Sequence, residues 1–509
     1  MVQKNKIFLV IWGTFFLFLL LQYHIVYLYY DDFGFFSLSY GYDANIPGTK
    51  MDWRSILDYF IHSYTQVSGR LSVIILYILL GWLGGLNIVR VFLPVTILLI
   101  YLLIYRTIVA QKSDSRTQYF TLVFLCFSYG LFGIQIYNTG FYWFAATYVY
   151  IVPVAFFMIF DQLYQNNKIF APIVSFFLCL FSELMVAMSL IYTTINIGNQ
   201  IIHKRKVEKN HWFSLLTSLV ATSIMLMSPA SRGRMTNDSN ISFYNMNLYE
   251  KIVRNGNLII NHFFFLTGNV FVWFVLIVSL LMTIKMIIEK KFRIFYISLG
   301  ISTVIIMYLF SIEKIKNNIE HYMLFFLLYF ICVFVGLFIY FMNSDFHMAT
   351  LVVGAASTVG VLLIVPEIPI RTFIPCMFMF IMFGGRILTD FLYTKQAMFI
   401  YILLIPFIMI NTQNLHQVYK GYQSNVEVLE YNDFKLTEAN RQLEYGYDIQ
   451  KVELYKIPQP IFAGPQVYND GVTYMKFWID QYYELPYTTE YIYYDYPSKE
   501  NAVSFCLVK

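Results

Sequence analysis

Residues 4–32 read KNKIFLVIWGTFFLFLLLQYHIVYLYYDD. Two lysines precede an apolar run, Ile7 to about Leu28, long enough to cross a bilayer and too long for the core of a signal peptide. No small-residue cleavage site follows, so the run reads as an uncleaved first span. Similar runs recur at 69–86, 88–105, 119–137, 141–160, 169–182, 184–202, 211–229, 258–284, 294–311, 322–342, 348–365, 371–391 and 397–411. Of the 509 residues, 58% are hydrophobic and 13% charged. A soluble domain carries about 25% charge. A water-soluble globule and a disordered chain are therefore excluded, and the expected fold is an all-α polytopic transmembrane protein.

Charge sets the expected orientation. Lys4 and Lys6, the cluster His203-Lys204-Arg205-Lys206 with Lys209, the group Lys285, Lys290, Lys291 and Arg293, and the weaker pair Arg386 and Lys395 all prefer the cytoplasm. Alternation then puts 29–68, 229–257, 311–321 and 366–370 on the outer side. Fourteen runs conflict with a cytoplasmic start and an outer tail, which need an odd number of crossings. About 13 crossings are expected, with 69–105 the irregular stretch because Arg106, Lys112 and Arg116 favour the cytoplasm and Gly81-Trp82-Leu83-Gly84-Gly85 is turn-like.

Two domains follow: a multi-span body, 1–410, with an external loop at 29–68, and an extracytoplasmic tail, 411–509. The tail holds 8 Lys/Arg against 13 Asp/Glu, the body 27 against 17. A polar amphipathic helix from about Asn411 to Gln442, then short alternating stretches broken by Pro458, Pro460 and Pro465, predict a small mixed α/β unit. The five cysteines form no CxxC pair and read as buried small hydrophobes.

In so apolar a chain the ionisable groups carry the information, because each is costly to hold near lipid. Asp31-Asp32 follows Tyr29-Tyr30 at the end of the first span, where carboxylates oppose the helix dipole. An adjacent acidic pair suits a general base or a cation site. The next loop carries Trp53, Ile56, Leu57, Phe60 and Ile61 at helical spacing, as in a helix lying in the interface plane. His62 sits at its end, most simply as a solvated side chain, and Arg70 at the mouth of the next span. Asn138-Thr139-Gly140-Phe141-Tyr142-Trp143, with Tyr148, is either an interfacial aromatic belt or a platform on which sugars stack. Ser182-Glu183 needs a cationic partner. Arg232 and Arg234 beside Pro229, and Arg371 at a helix start, point to a bound anion.

Tyr30-Asp31-Asp32, the amphipathic first outer loop ending in Gly69-Arg70, Trp143 with Tyr148, Ser182-Glu183 and Pro229 with Arg232 together resemble the GT-C class of integral-membrane glycosyltransferases, of the bacterial cell-envelope polysaccharide type. The resemblance covers roughly residues 1–400, and a second acidic pair is missing. It implies an inverting hexosyl transfer from a polyprenyl-phosphate sugar to a hydroxyl of an envelope glycan or teichoic-acid-like acceptor, at the outer face of the plasma membrane. Asp31 or Asp32 would be the base. Arg70, Arg232, Arg234 and Arg371 would hold the donor phosphate. Tyr30, His62, Trp143, Tyr148 and Glu183 would contact sugar or acceptor. A divalent cation, magnesium or manganese, would sit on Asp31 and Asp32 if one is used. A transporter or flippase of lipid-linked sugars, and a polysaccharide polymerase or ligase, are the competing expectations. Nucleic acid is not an expected partner.

Overall fold

The structure, a computed structural model, describes residues 2–42, 52–109, 114–236, 238–311, 322–392, 397–463 and 473–496. The expected outer-loop charges Glu313, Lys314, Lys316, Glu320 and His321, together with Lys112, Lys395, Pro465 and Cys506, lie outside these residues. The chain is a predominantly helical multi-pass membrane protein. Among the described residues nine helices have the length and apolarity to cross a membrane: Lys6–His24, Leu86–Val109, Phe144–Gln165, Glu183–Ile202, Asn269–Ile288, Arg293–Ser311, Met323–Met342, Ile370–Phe391 and Ala397–Glu444. Ser115–Leu131 and Ile134–Phe141, bent by 83° at their junction, make a tenth if counted as one broken span.

Among the described residues fewer helices reach full length than the thirteen or so expected, and for two of the runs the reason is plain. The run 69–86 yields Leu71–Leu83, only 13 residues, before Gly84 and Gly85 turn the chain at φ +144° and +56°. The run 169–182 yields Ala171–Cys179, 9 residues. At 1.5 Å per residue these rise about 20 and 14 Å, well short of a hydrocarbon core of about 30 Å. Both stretches suspected on parity are thus irregular, not 69–105 alone.

An 18-residue stretch of Ile370–Phe391 is wholly buried, which makes this helix the centre of the bundle. Its small pair Gly384-Gly385 lets Phe274 and Phe124 approach closely from two neighbouring helices. The amphipathic helix expected in the first long loop forms, Trp53–His62, with Asp52 capping it through the N–H groups of Arg54 and Ser55. Trp53, Leu57 and Ile61, spaced four apart on one face, stay exposed.

At one end of the bundle the buried charges pair with each other. Tyr192 donates to Asp161 Oδ1, and His347 Nε2 lies 2.6 Å from the same oxygen. Lys285 sits 3.2 Å from Asp390, which also accepts from Tyr340 at 2.6 Å. Arg386 reaches Asp345 at 3.8 Å and Asp390 at 4.0 Å, and donates to the Ile108 carbonyl.

The last span does not stop at residue 410. Ala397–Glu444 is one helix of 48 residues, about 72 Å long, and it carries the expected domain boundary in its interior. Its continuation is held by a buried seam at Asn411, Leu415, Val418, Tyr422, Asn425, Leu429, Asn432, Leu436 and Ala439, alternating steps of four and three. Asn425 and Asn432, two turns apart, clamp the tail backbone: Asn432 exchanges two hydrogen bonds with Tyr455, and Asn425 accepts from Gln459 N–H. The tail has a two-stranded parallel sheet, Lys451–Tyr455 beside Glu490–Tyr494, with Thr473–Tyr482 as the helix between them in sequence. Parallel pairing requires such a crossover.

Candidate functional site

The first helix ends at His24, and an irregular segment leads to the short helix Asp32–Phe36. Between them Tyr30 is held at φ +46°, a left-handed conformation that costs a residue with a side chain about 1 kcal/mol or more. That turn sends the two neighbouring carboxylates to different environments.

Asp32 is fully buried. Its Oδ1 accepts from Ala145 N–H at 2.8 Å, and its Oδ2 from Tyr29 and Phe144 N–H at 3.1 and 3.3 Å. It therefore caps the first turn of Phe144–Tyr150 from outside that helix, satisfying donors a helix start leaves open. Burial and the charge of Asp31 push its carboxyl well above the usual range, against the pull of those N–H groups. Both oxygens are spent on backbone, and Asp32 lines neither of the polar cavities described below. The expectation that Asp32 shares the chemistry is corrected on this ground.

Asp31 turns the other way, into open space. Trp143 donates its indole N–H to Oδ1 at 2.6 Å. Burial lifts the Asp31 carboxyl to about 7, against the opposing pull of the Trp143 hydrogen bond and the Arg371 charge. A carboxyl poised there gains or loses its proton near neutrality, as a general base must.

Two cavities meet at Asp31, and Tyr40, Trp143 and Arg371 are common to both. The larger, about 380 Å³, is walled by Tyr30, Asn138, Thr139 and Trp478 besides the shared residues. The smaller, about 180 Å³, contains Arg70, Arg234, Tyr77 and Tyr150. Its cations are only partly neutralised. Arg70 Nη2 pairs with Glu183 Oε2 at 2.8 Å, while the buried Arg70 Nε has no hydrogen-bond partner. Burial and the repulsion of Arg70 draw the Arg234 guanidinium below its ordinary range. Arg371 stacks over the Trp143 ring at 4.4 Å. Three guanidiniums face one another across a small space with a single carboxylate between two of them, which is the electrostatics of an anion site.

Close backbone approaches build this geometry. A Cβ on Gly69 would lie 2.3 Å from the Met225 carbonyl, so glycine there lets the Arg70 strand lie against the turn that leads to Arg234. A Cβ on Gly34 would lie 2.9 Å from Trp478 Cγ, so glycine admits the tail tryptophan to the site.

The structure thus gathers Tyr30, Asp31, Arg70, Trp143, Arg234 and Arg371 around joined cavities, with Glu183 bound to Arg70. Besides Asp32, it leaves three expected residues outside. Arg232 is exposed on the far side of its short helix and lines neither cavity. His62 bonds the Gly41 carbonyl at 2.9 Å and stacks on Tyr42, closing its own loop. Tyr148 is fully buried and packs edge-on against Tyr77. Sequence reasoning missed Tyr40, Tyr77 and Trp478. Only Trp478 left a sequence signal, as the single tryptophan in an otherwise polar tail.

A divalent cation does not fit this donor set. Among the described residues no three His, Cys, Asp or Glu side chains converge. Asp32 is committed to backbone N–H groups, Asp31 accepts from an indole, and the nearest charges are guanidiniums. No step is routed through a metal. Comparison of the chain with protein-family models, with curated proteins and with solved structures finds no match in any of the three.

Proposed function

We propose that the protein is a membrane glycosyltransferase of GT-C-like plan. It moves a sugar from a polyprenyl-phosphate donor to a hydroxyl of a cell-envelope glycan or teichoic-acid-like acceptor, at the outer face of the plasma membrane. The N-terminus lies in the cytoplasm and the tail outside. The observation that supports this most directly is the position of Asp31, a near-neutral carboxyl at the junction of an arginine-lined cavity and an aromatic one.

The chemistry follows from that arrangement. The donor phosphate occupies the smaller cavity, against Arg70, Arg234 and Arg371. Asp31 takes the proton of the acceptor hydroxyl as its oxygen bonds to the anomeric carbon. The bond from that carbon to the phosphate oxygen breaks on the opposite face, with inversion, and its electron pair stays on the phosphate. The leaving group gains one negative charge, which the preorganised guanidiniums stabilise more strongly than the starting diester. Phosphate leaves without a proton, so a general acid is not required. The proton on Asp31 returns to water before the next turnover.

The full-length protein in liposomes, given a labelled polyprenyl-phosphate sugar and a glycan extract, should form a labelled glycan. Movement of intact donor across the bilayer without new glycosidic product would establish the transporter instead. Absence of both would end the assignment.

A further inference from the structure

The larger cavity differs from the smaller in kind. Arg70 and Arg234 are absent from it, and among the described residues Arg371 is the only cation lining it. Trp478 stands 5.0 Å from the Tyr40 ring on one side, and Trp143 stands 5.2 Å from Tyr30 on another. Asn138 is buried, lines the space, and its side-chain oxygen has no hydrogen-bond partner. An orphan acceptor of this kind is costly unless a ligand donates to it. Aromatic faces with one amide acceptor match a pyranose, whose axial C–H face is apolar and whose rim carries hydroxyl donors. The volume, about 380 Å³, accommodates more than a single small ion and falls in the range of small-molecule sites.

The origin of the walls decides which sugar enters here. Trp478 belongs to Thr473–Tyr482, in the acidic tail beyond the last span, and it reaches the cavity over Gly34. A wall supplied by the extramembrane unit faces molecules that arrive through water, not through the bilayer.

We infer that the larger cavity is the acceptor subsite and that it takes a pyranosyl unit stacked on Trp478 and hydrogen-bonded to Asn138. This rests on the glycosyl-transfer reading and narrows it: the acceptor nucleophile is a sugar hydroxyl, not a polyol-phosphate hydroxyl. Trp478 and Asn138 position the acceptor, while Asp31 alone touches the proton that moves.

The test uses full-length protein in nanodiscs with a labelled polyprenyl-phosphate sugar. Octyl β-glucoside and octyl β-galactoside serve as pyranoside acceptors, and octyl glycerol as the polyol control. The wild type should glycosylate a pyranoside and leave octyl glycerol at background. Trp478→Ala should raise the acceptor KM about tenfold, with the donor KM unchanged, as loss of one stacking contact implies. Trp478→Phe should restore most of the affinity, which separates stacking from mere support of the fold. Asn138→Ala should raise the acceptor KM independently. Unchanged acceptor KM in both Trp478→Ala and Asn138→Ala, or octyl glycerol serving as well as a pyranoside, overturns the subsite while leaving transfer intact. No transfer to any acceptor by the wild type overturns the underlying reading, and the subsite with it.

Discussion

Two groups of ionisable residues occupy opposite ends of the same helices, and they are built on opposite plans. Phe144–Gln165 carries Asp161 about 25 Å from its Asp32-capped start, and Ile370–Phe391 carries Asp390 about 28 Å from Arg371. At the Asp161 and Asp390 end the carboxylates have counter-groups: His347 and Tyr192 converge on Asp161 Oδ1, leaving only its Oδ2 without a partner, and Lys285, Arg386 and Tyr340 converge on Asp390. At the Asp31 end Arg70 and Arg234 share Glu183, and an Arg70 N–H, an Asn138 oxygen and a Tyr77 hydroxyl are buried without partners. A folded chain that leaves such groups unmatched around a cavity has stability to gain from a ligand. The matched end holds helices together. The unmatched end is where the proposed function places substrate.

That contrast can be broken by substitution at each end. The largest expected effect is on catalysis at Asp31: Asp31→Asn should lower transfer about 10³-fold while membrane accumulation stays at the wild-type level. Wild-type transfer by Asp31→Asn would dissolve the contrast. Next, Arg371→Ala or Arg234→Ala should cut transfer about 10²-fold with little loss of stability. Arg386→Ala should do the reverse, costing about 1–3 kcal/mol because it removes a buried guanidinium from beside Asp345 and Asp390 and its hydrogen bond to the Ile108 carbonyl, with folded protein retaining its specific activity. Thermal scans in detergent beside transfer assays read both quantities, and the two arginine classes behaving alike would remove the distinction.

The pH dependence sharpens the same point. In the proposed mechanism the base form of Asp31 is the active one, so kcat/KM should rise with pH through about 7 and fall below it. Stability runs the other way. A carboxyl whose folded-state pKa is raised contributes stability that is complete below about pH 4 and is lost as pH rises through about 7. Asp31→Asn should therefore match the wild type in acid and melt higher than it at pH 8. A melting curve lower than wild type at pH 8 would make Asp31 a structural residue. The smallest effect is expected at Gly34: Gly34→Ala crowds Trp478 and should raise the acceptor KM a few-fold, read in the same pyranoside assay.

Much of this site was legible because charge is scarce. With so few charges in the body, Asp31, Arg70, Arg234 and Arg371 stood out at span ends, and the cost of holding ions near lipid made a shared purpose the natural reading. The adjacent pair could not be resolved the same way. Asp31 and Asp32 are chemically identical in sequence, and one left-handed residue, Tyr30, decides which faces the cavity and which caps a helix. Arg232 and Arg234 likewise lie two apart, so a helical turn points them in different directions. The contact of His62 was hidden for a similar reason: its partner, the Gly41 carbonyl, lies 21 residues back.

By itself the sequence determined that the chain is a helical membrane protein, because apolar run length and charge scarcity act locally and need no partner. It also determined that the tail begins with an amphipathic helix, because a seam spaced by fours and threes can be read along one strand of text. Only the tertiary structure decided that this helix is continuous with the last span, that two apolar runs are too short to cross, and that Trp478 walls the Asp31 cavity. These depend on contacts between residues hundreds of positions apart, such as Gly34 against Trp478 and Asp31 against Trp143. Such contacts are set by packing, and packing leaves no local mark.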